Sequence, residues 1–197
     1  MLRSALLLLV LATGCQSDPA PTRGVPAQRP DAVVRWRSAP ADGVEFAPGE
    51  PLVVRTTPHT VLWQEGSDVL RPPYTVRAAL HKRSGRLHEG FGLVFGGQGL
   101  DRAEQEQRYS YFLVRGDGSF LVKRRDGAAA PVVVPWTASP AIRREGSGTG
   151  QANELAVEVG PEEVVFRVNG TEVGRVPASE LHTAGIAGLR VSHGVEL

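Results

Sequence analysis

The sequence is poor in cysteine, in aromatic residues and in excess charge, and each shortage excludes or disfavours a class of protein. Cys15 is the only cysteine, so the chain forms neither a disulfide framework nor a cysteine metal site. It has 22 basic and 21 acidic residues, and the single charge of residues 1–14 is Arg3. The charge of the remainder is therefore balanced, which argues against nucleic acid as a partner. Aromatic residues make up 6% of the chain, which is few for a dedicated carbohydrate-binding module.

Long hydrophobic runs are also missing, apart from one near the N-terminus. The run from Ala5 to Ala12 follows Arg3 and has about half the length needed to cross a bilayer. It therefore predicts a short helix in an export signal rather than a membrane span. Thr13 and Gly14 are small and lead directly to Cys15.

The stretch from Leu11 to Cys15 resembles the lipobox of bacterial lipoproteins. The resemblance implies thioether attachment of a diacylglycerol to Cys15, cleavage before it and acylation of the new amino terminus. Several acyl chains at ~0.8 kcal/mol per buried CH₂ would anchor the protein stably. Gln16 stands where aspartate would favour the inner membrane, so we expect the outer membrane or the cell surface. The alternatives are a cleaved secretory signal with an incidental cysteine and a cytosolic chain.

Composition divides the chain into three segments. Residues 1–14 form the signal peptide, residues 15–31 the acylated cysteine with a Pro-rich tether, and residues 32–197 a globular domain. The tether is rich in proline and polar residues, so we expect it to be disordered. At ~3 Å per residue it would hold the domain up to roughly 50 Å from the bilayer.

Alternating patterns predict that the domain is all-β. In residues 74–81 apolar side chains recur at every second position, and no segment offers three turns of a capped helix. Gly116-Asp117 predicts a two-residue hairpin connection. Asn169-Gly170 predicts another, which would place Val168 opposite Thr171 and Phe166 opposite Val173. We therefore expect ten to thirteen short antiparallel strands in a two-sheet jelly-roll sandwich.

Several stretches together resemble the concanavalin A-like lectin/glucanase jelly rolls. The similarity extends over residues 45–195 to laminin-G-like domains, including the bacterial group labelled 3-keto-disaccharide hydrolase. The stretches that carry it are 74–76, 90–97, 109–115, 117–120, 136–137, 141–142, 153–155, 168–170 and 185–189. Most of these are turns and core faces, so the resemblance implies a fold more than an activity.

No constellation of side chains predicts catalysis or metal binding. A glycosidase of this fold needs two carboxylates about 5–9.5 Å apart, and the Glu-x-Asp-x-x-Glu glucanase signature is absent. Glu104 and Glu106 lie in a predicted loop, and Glu154 and Glu158 on a predicted outward face. The five histidines are dispersed without ligand spacing. We assign no catalytic residue, no metal and no cofactor.

Glycan binding makes fewer demands, since it needs aromatic rings flanked by planar polar side chains. The candidate ligand-binding residues are Trp63, Tyr109, Tyr111, Arg115 and Trp136; the alternative is that these aromatics belong to the sandwich core. We predict a lipid-anchored, non-catalytic module that binds a glycan or an unidentified envelope protein. The alternatives are a hydrolase of a glycoside or sugar derivative and a structural or protein-interaction domain.

The last residues, HGVEL, allow two interpretations. They form a shortened closing strand that pairs near the amino-terminal strand, or the reading frame ends early and leaves an unpaired edge.

Overall fold

Thirteen strands and two short 3₁₀ turns make up the described part of the chain. A computed structural model describes residues 35–47, 51–146 and 150–197, so the predicted signal helix, Cys15 and the tether lie outside the described residues. Within these ranges, no helix has the length and hydrophobicity needed to cross a bilayer. The strands are β1 (Trp36–Ala39), β2 (Val44–Ala47), β3 (Val53–Thr56), β4 (Thr60–Gln64), β5 (Tyr74–Leu80), β6 (Phe91–Gln98), β7 (Arg108–Arg115), β8 (Ser119–Asp126), β9 (Val132–Ala138), β10 (Asn153–Val159), β11 (Glu163–Val168), β12 (Thr171–Pro177) and β13 (Ile186–Val191). The turns are Glu104–Glu106 and Ala178–Glu180.

The strands form two large antiparallel sheets and one small one. Seven strands lie in the order β1-β4-β13-β6-β7-β8-β9, four in the order β12-β11-β10-β5, and β2 pairs with β3. The predicted all-β, two-sheet sandwich is confirmed, and the two-stranded sheet is an addition to it.

The sandwich core is built from the alternate residues that the two large sheets turn toward each other. Phe112 of β7 lies at its centre, with its ring centroid 5.1 Å from that of Phe166 and 6.0 Å from that of Phe120. All three rings are at most 2% exposed. The predicted inward face of β5 is also confirmed, since Leu80 belongs to this core and Tyr74 packs against it.

The hairpin between β11 and β12 follows the prediction at its turn and departs from it further along. Asn169 and Gly170 have φ angles of +50° and +81°, and Val168 lies opposite Thr171. A β-bulge after this pair places Gly174, not Val173, opposite Phe166. The predicted Phe166–Val173 pair is therefore wrong, because the bulge adds one residue to β12.

The connection between β7 and β8 is longer than predicted. Arg115 pairs with Ser119, so the loop contains Gly116, Asp117 and Gly118 rather than two residues. Gly118 adopts φ +84°, which is typical of a three-residue hairpin loop. Asp117 stabilises the loop by accepting a hydrogen bond from the Ser119 amide at 3.0 Å.

The last three residues pair with β3 through backbone hydrogen bonds. Leu197 and Val54 of β3 exchange backbone hydrogen bonds of 2.9 and 3.1 Å, and the Val195 carbonyl accepts the Thr56 amide at 2.9 Å. Val195 is fully buried and Leu197 is 8% exposed. This agrees with the expectation that HGVEL closes the sandwich near its amino-terminal strands.

A buried ion pair joins three loops at one end of the sandwich. Lys82 is 2% exposed, and its Nζ lies 3.0 Å from Glu145 Oε1 and donates to the Arg86 carbonyl at 2.6 Å. The Glu145 amide donates to the Gly116 carbonyl in the β7–β8 loop. The pair therefore fixes the loop from which Arg115 emerges.

Candidate functional site

All five predicted ligand-binding residues lie on one surface, the outer face of the seven-stranded sheet. We use this name for the strand positions that point away from the four-stranded sheet. They alternate with core residues, so Tyr109, Tyr111 and Arg115 point outward from β7 while Phe112 points inward. Trp63 of β4 belongs to the same outer cluster as the two tyrosines. Trp63, Tyr109 and Tyr111 are buried in a hydrophobic cluster of this face, separate from the cluster between the two sheets. The alternative that the aromatics are core residues therefore holds for these three and not for Trp136.

The two tyrosines and Arg190 of β13 form the centre of this face. The tyrosine ring centroids are 5.7 Å apart. The Arg190 guanidinium carbon lies 5.0 Å from the Tyr111 ring centroid, and Nη1 donates a hydrogen bond to Tyr109 Oη at 2.9 Å. Between these strands, β6 places Gly92 opposite Arg190. The tyrosines therefore hold the guanidinium in place by cation–π and hydrogen-bond contacts.

Two further cations lie beside the tyrosines on β8. Lys123 pairs with Tyr111, and Arg125 pairs with Tyr109. The pKa of Lys123 lies below its usual range because of partial burial and the positive charges of Arg190 and Arg125. Burial raises the pKa of the Tyr111 phenol, an effect that Arg190 opposes. We call Arg190, Lys123 and Arg125 the cationic centre.

Arg115 and Trp136 form a corner at the loop end of the outer face. The Arg115 guanidinium carbon lies 4.3 Å from the centroid of the Trp136 ring, and Arg115 Nε lies 2.8 Å from Asp117 Oδ2. The pKa of Asp117 is below its usual range: burial raises it, but hydrogen bonds from Arg115 and Ser119 more than offset this. Trp136 is 36% exposed and is the one tryptophan of the outer face with a large exposed surface.

Trp63 lies on the opposite side of the same face, in the same hydrophobic cluster as the two tyrosines. It pairs with Arg37 of β1, and the strands β13 and β6 separate β4 from β7. Three strand spacings correspond to roughly 14 Å. The structure thus divides the predicted set into a central pair, a corner pair and a separate tryptophan.

Burial changes the role that the aromatic residues can have. Tyr109, Tyr111 and Trp63 are 1%, 5% and 7% exposed, so their rings form a floor rather than an open platform. The polar groups nearest to this floor are those of the cationic centre, which sequence reasoning missed. The alternation of side chains along β8 and β13 was the only sequence signal that could have placed these cations on the outer face.

A cleft of about 510 Å³ opens at the edge of the sandwich, where the four-stranded sheet ends at β5. Trp36, Val76 and Leu189 supply much of its apolar wall, and Gln64 and Asp68 supply polar groups. None of the five predicted residues lines it. The cleft is therefore a second candidate site that sequence patterns did not indicate.

The acidic pairs considered from sequence are engaged in ion pairs with arginines. Glu104 and Glu106, in the first 3₁₀ turn, pair with Arg125 and Arg102. Glu154 and Glu158 lie on the outward face of β10 and pair with two other arginines, Arg77 and Arg167. The expectation that these pairs belong to a loop and an outward face is confirmed.

One carboxylate–histidine pair lies at the end of β8. His182 Nε2 donates to Asp126 Oδ1 at 2.6 Å, and Arg124 Nε donates to Asp126 Oδ2 at 2.7 Å. Burial raises the pKa of Asp126, but these hydrogen bonds more than offset it, so the pKa lies below its usual range. No three His, Cys, Asp or Glu side chains in the described ranges lie together in a way that could hold a metal ion.

Comparisons with known proteins show the fold. The structure is similar to the carbohydrate-binding module CBM66 from Bacillus subtilis, with a TM-score of 0.61 and 16% identity over 82% of this chain and 90% of that one. An endo-β-1,3-glucanase from Pyrococcus furiosus matches with a TM-score of 0.45 and 13% identity over 82% of this chain and 64% of that one. A glycoside hydrolase family 16 endo-glucanase from Bacteroides ovatus matches with a TM-score of 0.43 and 10% identity, over 78% of this chain and 73% of that one. No family model and no curated protein sequence matches the chain. The predicted concanavalin A-like jelly-roll fold is therefore confirmed.

Proposed function

We propose that this chain is a lipid-anchored protein of the bacterial cell envelope, and that its β-sandwich binds a glycan through the outer face without cleaving it. One observation carries the proposal: the outer face presents Trp136 and Arg115 at its corner and Arg190 over Tyr109 and Tyr111 at its centre. An exposed indole can stack on a sugar ring, and fixed guanidinium groups can donate to sugar oxygens. These are the groups that glycan recognition requires.

The composition of the seven-stranded sheet also favours binding over hydrolysis. The usual glycosidase mechanisms need two convergent carboxylates. The strands of this sheet carry one acidic residue, Asp126, and both of its carboxylate oxygens accept hydrogen bonds from neighbouring side chains. The fold is also that of a module whose name describes carbohydrate binding.

The location is proposed from the N-terminal sequence. Acylation of Cys15 would attach the chain to a membrane, and the Pro-rich tether would hold the sandwich away from it. Outer-membrane or cell-surface glycans would then lie within reach of the outer face.

A glycan array tests the binding proposal. The full-length chain, purified in a nonionic detergent, should bind at least one glycan, and Trp136→Ala should weaken that binding about five- to tenfold, since a stacking contact contributes ~1 kcal/mol or more. Trp36→Ala is the matched control, because Trp36 lines the edge cleft. A reducing-sugar assay on every glycan that binds should show no turnover.

Other outcomes identify the alternatives. Release of reducing ends that is lost on His182→Ala would favour a hydrolase, because the Asp126–His182 pair is the described group most suited to proton transfer. Absence of any glycan ligand would contradict the proposal and leave a protein-interaction domain.

A further inference from the structure

The seven-stranded sheet carries an excess of positive charge. Its strands contain one acidic residue, Asp126, and seven basic residues. The basic residues are Arg37, Arg108, Arg115, Lys123, Arg124, Arg125 and Arg190. Four of these seven have a carboxylate within 4 Å, namely Arg37, Arg115, Arg124 and Arg125. The strand cations without a described carboxylate partner are Arg108, Lys123 and Arg190.

The four-stranded sheet provides an internal comparison, because its strands carry three arginines and four glutamates. Its outer surface holds a network in which Arg77 pairs with Glu154, Arg167 with Glu158 and Glu172, and Arg175 with Glu163 and Glu172. Each of these arginines has at least one carboxylate within 4 Å. The carboxylates of this surface therefore already neutralise its arginines, and an external anion would gain little by binding there.

The cationic centre of the outer face lacks this compensation. Among the described residues, neither Arg190 nor Lys123 has a carboxylate within ion-pair distance. Arg125 pairs with Glu104 through Nη2, but its Nε is buried without a described hydrogen-bond acceptor. The charges of Arg190 and Lys123 thus lie beside two buried phenols without a described counter-ion, a costly arrangement unless an anion joins them.

We infer that the ligand of the outer face is an acidic polysaccharide, whose uronate, sulfate or phosphate groups bind the cationic centre while a sugar ring stacks on Trp136. The inference rests on the proposed function and specifies its ligand class. Arg190 is held by Tyr109 and Tyr111 with its planar donors oriented, which suits bidentate recognition of an oxyanion. Lys123 supplies a second charge from the neighbouring strand pair.

The test compares acidic glycans with their neutral counterparts. Oligogalacturonate is set against its fully methyl-esterified form, and dextran sulfate against dextran, with the full-length chain in nonionic detergent. We expect at least one acidic glycan to bind at least about tenfold more tightly than its neutral counterpart, since charge-assisted hydrogen bonds are stronger than neutral ones. The affinity should fall as salt is added.

Substitutions locate the charge effect on the outer face. Arg190→Gln and Lys123→Gln should each weaken binding of the acidic glycan about tenfold and weaken any binding of the neutral glycan by a clearly smaller factor. Arg190→Lys should retain part of the affinity, since it keeps the charge and loses the planar donors. Arg175→Gln, on the four-stranded sheet, is the matched control and should change the affinity by about twofold or less. Urea unfolding of each variant separates loss of binding from loss of folding.

The remaining outcomes overturn the inference in distinguishable ways. Equal binding of acidic and neutral glycans contradicts the charge specificity but leaves the proposed function intact. Binding of single-stranded DNA as tight as that of the acidic glycan shows a general polyanion surface and also contradicts the inference. Failure of every glycan, acidic or neutral, contradicts the inference and the proposed function together.

Discussion

Replacing Glu145 with glutamine is expected to lower the free energy of unfolding by about 3–5 kcal/mol, a large part of the stability of a domain this size. Lys82 is 2% exposed, and the described partners of its ammonium group are Glu145 and the Arg86 carbonyl. Glutamine keeps the shape of the side chain but removes its charge, so the Lys82 ammonium stays buried with no counter-ion. Urea denaturation at neutral pH measures the change.

Two controls separate this effect from ordinary surface electrostatics. Glu65→Gln removes an exposed partner of Arg37, whose side chain is 54% exposed, and should change stability by at most about 1 kcal/mol. The double variant Lys82→Met/Glu145→Leu removes both charges and should recover most of the lost stability. If Glu145→Gln costs no more than Glu65→Gln, the buried pair does not have the role given to it here.

Replacing Cys15 with serine is expected to abolish lipid attachment completely, because the thioether requires the sulfur. In a bacterial host fed an alkynyl palmitate, the wild-type chain should incorporate the label and lose its signal peptide, residues 1–14. The serine variant should incorporate none and keep residues 1–14. Gel fluorescence and intact mass measure both properties.

Gln16→Ala is the matched control for this substitution, since it changes the adjacent residue and leaves the sulfur. It should be labelled and cleaved like the wild type. A serine variant that is still cleaved, or a wild type that takes up no label, would instead support the simple secretory signal.

Much of the fold follows from local rules that act within a few residues. Asn169 and Gly170 tolerate positive φ, so the pair specifies its turn wherever the strands around it lie. The alternation in β5 and β10 likewise specifies which face is buried. The two wrong predictions concern positions where the same local sequence is compatible with more than one loop length or strand register. Gly118 extends the β7–β8 loop by one residue, and a bulge shifts Val173 out of register.

The site was less predictable because it depends on contacts between strands that are distant in sequence. Period-two alternation places Tyr109, Tyr111 and Arg115 on one face of a strand. Their common orientation could therefore be predicted once the bounds of β7 were predicted correctly. The neighbour of those tyrosines is Arg190, 79 residues beyond Tyr111 along the chain, and only the order β13-β6-β7 brings them together. The sequence also contains no local signal that Tyr109 is buried or that Lys82 pairs with Glu145.

The most direct test of the account is the location of the bound glycan, measured by fluorine NMR. The chain has three tryptophans, so incorporation of 5-fluorotryptophan gives three signals, which tryptophan-to-phenylalanine variants assign. Trp136 and Trp63 report on the outer face, and Trp36 reports on the edge cleft. With a glycan that binds on the array, we expect the Trp136 signal to shift in proportion to saturation while the Trp36 signal stays in place. A shift of Trp36 alone would contradict it and place the ligand in the cleft between the sheets.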